Sequence, residues 1–366
     1  MFAFFSILVF LFLVISGHYF AWHLCLSAFP SWHRWRFWIL SAFIAVTFIF
    51  LGDFIWLHQG DSAFFRYLYV FGAILFGLLS QLMLFGFLFY LHEILLKHWT
   101  GKRLRCASLQ PRLVARLLLI LAGLFFILGT YNAFLPRVKT IVLRGWPEEL
   151  KGKSFVQLSD LHLGAVYRPA WLEMIVRKVN ALNPDFVVIS SDLFDGSDEH
   201  LSEFIPVLRT FSPVTIFVPG NHDYYIPAEK AQETALAGNL IFLSDAAINV
   251  DGLEVIGLNY VNRDDSGLRR EIKNLGDGQL TRIVVNHVPV DQAEAKALEA
   301  RLMLSGHTHR GQIFPFSFFT YLLYGRFSYG LENYEGMTTY TNAGTGTWGP
   351  PVRTLLPGEI IRFVIE

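Results

Sequence analysis

The sequence predicts an α/β domain preceded by a bundle of four transmembrane helices. Two observations carry this prediction: four long apolar runs occur before residue 135, and short β-rich runs alternate with helical stretches from residue 154 onward. The chain of 366 residues is long enough for two folding units. We therefore expect a membrane domain over residues 1–135, a linker over residues 136–153 and a second domain over residues 154–366.

Each apolar run has about the length of 20 residues that a helix needs to cross the hydrocarbon core of a bilayer. Trp and Tyr residues cluster at the ends of the runs, as in an interfacial aromatic belt. The first run lacks a preceding basic segment and a small-residue cleavage site, so we interpret it as a retained helix and not as a signal peptide. The runs are Phe2–Phe20, Phe37–Leu57, Tyr67–Leu91 and Leu113–Phe134.

Charged residues are distributed unevenly along the chain. Residues 1–149 contain 12 Lys/Arg and 5 Asp/Glu, whereas residues 150–366 contain 18 and 25, which gives net charges of +7 and −7. Eight Lys/Arg accompany the loops between the first and second runs and between the third and fourth, whereas the remaining loop has only Arg66. The positive-inside rule places the eight charges in the cytoplasm. We therefore predict a multi-pass protein of the cell (inner) membrane whose second domain is extracytoplasmic.

The second domain shows the alternation of strands and helices that is typical of an α/β fold. The predicted strands are Phe155–Ser159, Phe186–Ser190, Thr215–Val218, Leu253–Gly257, Ile283–Asn286 and Leu302–Ser305. The predicted helices are Pro169–Leu182, Ser202–Phe211, Pro227–Ala237 and Gln292–Ala300. Because the domain has no basic aromatic stripe, we expect no nucleic-acid partner.

Polar residues that can bind metal ions recur where these predicted strands end. The ends of neighbouring strands converge at one edge of a sheet, so side chains from different strands can meet there. Each motif alone is more often a turn or a cap, but the ordered set predicts one site. Its members are Asp160, His162, Asp192, Asn221, His222, Asp223, His287, His307 and His309.

The types of side chain in this set indicate the chemistry of the site. Carboxylate, imidazole and amide oxygen ligands suit Mn²⁺, Fe or Zn²⁺ better than Ca²⁺. Two such ions can hold the attacking and leaving oxygens of a displacement at phosphorus, with a bridging hydroxide as the nucleophile. The sequence therefore predicts a pair of divalent metal ions, with Mn²⁺ as the first choice and Fe or Zn²⁺ as alternatives.

The ordered motifs resemble those of the calcineurin-like metallophosphoesterase superfamily, and within it the membrane-attached bacterial phosphoesterases. The segments Gly306–Gln312 and Asn342–Arg353 are similar to the tails of those bacterial proteins. The resemblance covers about Phe155–Ile365 and leaves the N-terminal apolar runs outside. It implies a four-layer αββα sandwich of two sheets, a detail that the alternation of strands and helices could not have distinguished from other α/β folds.

The resemblance also implies a role for each site residue. Asp160, His162 and His309 would hold one ion, Asn221, His287 and His307 would hold the other, and Asp192 would bridge them. His222 would protonate the leaving oxygen, and Asp223 would orient the His222 imidazole. Ser191 departs from the family pattern, which has Gly before the bridging Asp so that the backbone can approach the metals closely.

An apolar segment, Ile313–Tyr329, follows the last metal motif. It is either a hydrophobic loop packed on the domain or on the anchor helices, or an interfacial lip beside the metals that touches lipid. In the second interpretation its side chains contact the substrate, together with a neighbouring arginine that can bind phosphate. The candidate substrate-binding residues are Arg310, Phe318, Phe319, Leu322 and Leu323.

The sequence thus predicts a hydrolase that cleaves a phosphodiester or pyrophosphate bond of a membrane-associated or lipid-linked substrate, with the lipid bilayer as its partner. A phosphomonoesterase acting on a soluble nucleotide or phosphosugar is an alternative. A catalytically silent membrane protein with structural metals is another. A transporter is disfavoured because Gln81 is the only polar residue at mid-membrane depth.

Overall fold

The computed structural model describes residues 2–57, 63–99, 110–196, 200–260, 279–354 and 356–366. The chain divides into two compact units, Met1–Thr130 and Tyr131–Glu366.

The first unit consists of long apolar helices. Their bounds are α1 (Phe2–Ala28), α2 (Arg36–Leu57), α3 (Ala63–Trp99) and α4 (Pro111–Phe134), and a short 3₁₀ helix, Pro30–Trp35, precedes α2. Among the described residues, three stretches are long and apolar enough to cross a membrane, namely Pro30–Gly52, Ala63–His98 and Pro111–Phe134. The apolar helix Phe12–Ala28 is shorter, so four crossings remain a prediction.

Small and polar residues hold α1, α2 and α3 together. A Cβ added at Gly86 would clash with the Phe20 carbonyl, so glycine lets α3 and α1 approach closely. The ring of His18 lies 2.9 Å from Thr47 Oγ1 on α2, and Gln81 is buried within α3. These polar side chains therefore lie within the packing between helices.

The second unit contains two six-stranded sheets. The strands of the first are β1 (Arg137–Leu143), β2 (Ser154–Leu158), β3 (Phe186–Ile189), β4 (Val214–Phe217), β5 (Ile241–Phe242) and β12 (Glu359–Ile365), in the order β1-β12-β2-β3-β4-β5. The strands of the second are β6 (Ala246–Val250), β7 (Leu253–Gly257), β8 (Thr281–Val285), β9 (Ala300–Ser305), β10 (Gly330–Tyr334) and β11 (Met337–Thr341), in the order β10-β11-β9-β8-β7-β6. Both sheets are mixed. In the first sheet β2–β5 run parallel and β12 is antiparallel to β2. In the second sheet β7–β9 run parallel and β6 is antiparallel to β7.

Five helices accompany the sheets in the described residues: α5 (Pro169–Ala181), α6 (Ile205–Leu208), α7 (Ala228–Ala237), α8 (Gln292–Ala297) and α9 (Phe316–Tyr324). In α5 the buried residues recur with helical spacing, from Trp171 through Ile175 to Val179, so one face of the helix packs inward. Pro169 stands in the first turn of α5, where its missing N–H costs nothing.

Three apolar clusters connect these elements. The first joins β2–β4 to helices α5–α7, for example through Val187, Ile175 and Ala235. The second joins the two sheets through residues such as Phe186 and Ile283, and the third joins the second sheet to α8. Burial of this apolar surface fixes the sheets, and with them the strand ends that carry the predicted metal motifs.

Three predictions of local structure were wrong. The predicted helix Ser202–Phe211 is a 3₁₀ turn, Leu201–Glu203, followed by the short helix α6, Ile205–Leu208. The segment interpreted as a linker contains β1, which pairs in parallel with β12. Only Ile141 and Leu143 of β1 are buried, and its partner lies at the other end of the chain, so no local pattern reveals the strand. The predicted helix Gln292–Ala300 ends at Ala297, because Ala300 already pairs with Arg282 at the start of β9.

Candidate metal centre

The nine residues predicted for the metal site lie on loops that follow parallel strands. The loops after β2, β3 and β4 come from the first sheet, and those after β8 and β9 come from the second. Parallel neighbours end at the same edge, so the loops of each sheet project together. The two sets of loops meet, because the His307 N–H donates a hydrogen bond to Asp160 Oδ1 at 3.0 Å.

Close approach of the backbone at Gly306 permits this meeting. A Cβ on Gly306 would clash with Ser159 Oγ and Asp160 Oδ2, side chains of the first sheet's loop. Glycine is therefore required here for space.

Asp160, His162 and His309 form the first group of converging side chains. Nε2 of His162 lies 3.0 Å from Nε2 of His309, which in turn lies 3.5 Å from Asp160 Oδ1. One ligand atom from each residue falls within 4.8 Å of the others, and all three side chains are buried.

Asn221, His287 and His307 form the second group. The Asn221 Oδ1 atom lies 2.8 Å from His287 Nε2 and 3.2 Å from His307 Nδ1, and these two nitrogens are 3.1 Å apart. Asp192 stands between the groups, with Oδ2 at 3.2 Å from His287 Nε2 and 3.9 Å from His162 Nε2.

The donor atoms fit divalent cations. Ring nitrogens of four histidines, two carboxylates and one amide oxygen converge within a buried space, and such a mixture suits Mn²⁺, Fe or Zn²⁺. The residues present therefore fit the metal ions that the motifs predict.

The pKa values of side chains at this site favour the protonation states that bind cations. Burial lowers the pKa of His162, and burial together with His162 lowers the pKa of His309 well below 6.5, so both rings favour the neutral form that binds metals. Burial alone would raise the pKa of Asp192, but the charge and hydrogen bond of His287 outweigh it and hold that pKa below its usual value. Asp192 is therefore a carboxylate anion.

The backbone at this site is strained. Non-glycine residues rarely adopt positive φ, yet five of the seven predicted ligands do so. They are Asp160 (51°), His162 (49°), Asp192 (46°), His307 (68°) and His309 (47°). Ser191, which replaces the family glycine, has φ of 100°, a value that favours glycine, so serine bears additional strain there.

His222 lies beside the metal groups. Its backbone N–H donates to Asp192 Oδ1 at 3.0 Å, and its ring meets that of His162 edge to face at 4.6 Å between centroids. Burial and the charge of His162 lower the pKa of His222 to about 4. The ring Nδ1 has no hydrogen-bond partner among the described residues.

The contacts of Asp223 differ from the predicted contact with the His222 ring. Its carboxylate accepts the N–H groups of Phe194 and Gly220 at 3.0 and 2.8 Å, and not a proton of the His222 ring. Burial and the Asp192 charge raise its pKa to about 7. Asp223 therefore fixes the loop that carries Asp192 to the loop that carries His222.

Sequence reasoning missed two residues that touch the ligands. Asp195 Oδ1 lies 3.3 Å from His162 Nδ1, which places a carboxylate behind a metal-facing imidazole. Arg353 is buried and donates to the carbonyls of Ala343, Gly346 and His309. Asp195 had a signal, since it follows Asp192 by three residues, but Arg353 had none apart from its place in the tail motif.

The predicted substrate-binding residues lie at the edge of the site. Phe318, Phe319, Leu322 and Leu323 are all exposed on α9. Arg310 directly follows His309, and its guanidinium stacks on the Tyr329 ring at 4.2 Å. Contact of these residues with a substrate stays a prediction.

The sequence is similar to those of known proteins. Residues 153–311 match the family described as calcineurin-like phosphoesterase. An uncharacterized metallophosphoesterase of Campylobacter jejuni is 32% identical over 271 residues, which cover 71% of this chain and 72% of the relative. One from Helicobacter pylori is 30% identical over 336 residues, covering 86% and 88%.

A third relative is named as a transmembrane protein. It is a "transmembrane protein with metallophosphoesterase domain" of Danio rerio, 31% identical over 278 residues, covering 68% of this chain and 62% of the relative. Together with the three long apolar stretches, it supports association of this chain with a membrane. The ordered ligands, their convergence and these matches lead to one conclusion: the chain belongs to the calcineurin-like metallophosphoesterase family.

Proposed function

We propose that the chain hydrolyses a phosphodiester or pyrophosphate bond with two divalent ions, Mn²⁺ first and Fe or Zn²⁺ as alternatives. Metal-dependent phosphoester hydrolysis is the chemistry of the family to which it belongs. The observation that carries the two-ion proposal is the position of Asp192, whose Oδ2 lies within 3.9 Å of a histidine nitrogen from each group.

Each residue has a defined task in this proposal. Asp160, His162 and His309 hold one ion, Asn221, His287 and His307 hold the other, and Asp192 contacts both. The ions, when bound, activate water as the nucleophile and neutralise charge on the phosphate. Asp195 orients the His162 ring through Nδ1, and Arg353 holds the backbone of His309.

His222 is the proton donor in this proposal. As water adds to phosphorus and the ester bond breaks, the leaving oxygen takes a proton, and the His222 ring is a titratable group beside the metal groups that is not needed as a ligand. Its backbone bond to Asp192 fixes its distance from the bridging carboxylate.

The substrate is proposed to be membrane-associated or lipid-linked. The observation that supports this is the short connection between α4 and β1. Helix α4 ends at Phe134 and β1 begins at Arg137, so only Leu135 and Pro136 separate an apolar helix from the first strand of the catalytic unit. A soluble nucleotide or phosphosugar monoester is the alternative, and a substrate panel separates the two.

The proposed location is the cell (inner) membrane with the catalytic unit outside the cytoplasm. The loop charges support it, although residues 100–109 of the most basic loop lie outside the described residues. Protease added to intact spheroplasts should then degrade the catalytic unit; protection of that unit would reverse the orientation.

The experiment that tests the enzyme proposal replaces the bridging carboxylate. Asp192→Asn in the full chain should lower the bound metal below two ions per chain and slow hydrolysis by roughly 10²-fold or more. Asp251→Asn, at an exposed turn of the same unit, is the matched control and should change neither quantity.

The substrates in this experiment are a lipid-linked diphosphate, a phospholipid, a soluble nitrophenyl diester and nucleotide monoesters, each with Mn²⁺-loaded protein. Full activity of Asp192→Asn would contradict the two-ion assignment. Absence of hydrolysis of every substrate by the wild type would favour the catalytically silent alternative.

A further inference from the structure

Helix α9 has a polar inner face and an apolar outer face, the reverse of an ordinary surface helix. Its partly buried positions, Ser317, Thr320 and Tyr324, recur with helical spacing and are polar. The remaining face is apolar and open, with exposed fractions between 39% and 71%. That face consists of Phe316, Phe318, Phe319, Tyr321, Leu322 and Leu323. A helix of a water-soluble domain normally turns such a face inward, so this one requires an apolar surrounding.

Both ends of α9 adjoin proposed metal ligands. At the first end, a Cβ on Gly311 would clash with the backbone of Phe316 and Ser317, so the helix begins directly against the turn that carries His309. At the other end, the Tyr324 ring meets the His307 ring at 6.0 Å between centroids. The helix therefore forms one rim of the metal site, with its polar face toward the ligands.

The charges around α9 match those of an interfacial helix. No charged residue occurs between Arg310 and Arg326. These two arginines bracket the helix, and each guanidinium stacks on an aromatic ring, Arg310 on Tyr329 and Arg326 on Phe327 at 4.8 Å. Basic and aromatic residues at the borders of an apolar segment are typical of the headgroup region of a bilayer.

We propose that the apolar face of α9 inserts into the headgroup and acyl boundary of the bilayer, and that the rim so formed admits an amphiphilic phosphate ester from the membrane to the metal site. The occupant is lipid and not a second copy of the chain. The chain already contains three stretches able to cross a membrane, so this apolar phase is present wherever the protein is. The admission of substrate rests on the proposed function, whereas insertion of α9 does not.

Insertion is measured with a fluorescent probe in the full chain. Cys25 and Cys106 are replaced by Ala, and one cysteine is introduced by Leu323→Cys and labelled with the polarity-sensitive dye NBD. The protein is reconstituted in nanodiscs with or without lipids that carry a nitroxide quencher on the acyl chain. Glu233→Cys, at an exposed polar position of α7, is the matched control.

The probe at Leu323 should show a blue-shifted emission and strong quenching by the nitroxide lipids, and the probe at Glu233 should show neither. A blue shift without quenching would mean that protein, such as a second copy, covers α9, and would overturn the proposal. Absence of both signals at Leu323 would overturn it as well. These outcomes hold whether or not the protein hydrolyses anything, so they separate this inference from the proposed function.

Substrate admission is measured by a second variant. Replacing Phe318, Phe319, Leu322 and Leu323 together by Ser should slow hydrolysis of a bilayer-embedded lipid phosphate by roughly tenfold or more, since the apolar contact area is lost. Hydrolysis of a soluble nitrophenyl diester should stay within about twofold, which also shows that the variant folds. Leu236→Ser, an exposed leucine of α7, is the control. Equal losses on both substrates would contradict admission through α9.

Discussion

His222 is the proposed proton donor, and its ring is mostly neutral at neutral pH. Its pKa of about 4 reflects burial first and the His162 charge second, against the opposing charge of Asp192. A general acid must be protonated to act, so the fraction of His222 able to donate falls as the pH rises above that value. The anionic phosphate of a bound substrate raises the pKa of His222, because it favours the imidazolium.

His222→Ala should therefore have a specific kinetic signature. Metal content should stay near normal, and the rate loss, about 10²–10⁴-fold for a general acid, should appear on an alkyl phosphodiester far more than on a nitrophenyl ester, whose leaving group needs no proton. The ratio of wild-type to variant kcat/KM should decrease as the pH rises. Equal losses on both esters, or a ratio that increases with pH, would indicate a binding or metal role for His222.

Residue identities at this site could be predicted from the sequence, but their contacts could not. The predicted ligands, from Asp160 to His309 in chain order, follow strands whose ends converge at one edge of a sheet. Their proximity could therefore be predicted. The Asp223 carboxylate accepts one backbone N–H from its own loop, at Gly220, and one from the loop after β3, at Phe194, and no spacing in the sequence encodes the second contact. Arg353 donates to the His309 carbonyl across 44 residues of sequence, so no local pattern reveals the contact.

At the scale of elements, β1 shows where local pattern fails. Its first four residues are exposed, and the buried pair Ile141 and Leu143 comes late in the strand. A polar stretch after a membrane helix therefore resembles a linker, although parallel pairing with β12 places it at the edge of the first sheet. Edge strands of this kind are specified by long-range pairing more than by their own composition.

A stability measurement distinguishes a strand from a linker at this position. Leu143→Ala should lower the unfolding free energy of the catalytic unit by roughly 2–5 kcal/mol, because a side chain with 3% exposure leaves a cavity between the sheets. Val138→Ala, at a 42% exposed position of the same strand, is the control and should change it by about 0.5 kcal/mol or less. Thermal unfolding of the full chain in detergent gives both values. Equal midpoints for the two variants would contradict the role of β1 in the sheet.

Helix α9 illustrates a limit of a different kind. Its composition predicts burial and lipid contact equally well, because both environments favour Phe and Leu. The exposure of its apolar face supports the proposed lipid contact, and that exposure depends on which side of the helix meets the metal site.

On the scale of the whole molecule, composition and charge predicted two units of different character, an apolar one and an acidic one. The resemblance of the ordered motifs predicted the family and a pair of sheets, and both are confirmed. The number of membrane crossings and the side on which catalysis occurs depend on the bilayer and on the insertion pathway, so they stay predictions.

The most direct measurement for the central proposal is the anomalous scattering of the full-length protein crystallised with Mn²⁺ and recorded at the manganese edge. We expect two peaks per chain, one among Asp160, His162 and His309 and one among Asn221, His287 and His307, with Asp192 beside both. Asp192→Asn should lose at least one of them. A single peak in the wild type, no peak, or peaks outside these two groups would contradict the two-metal account.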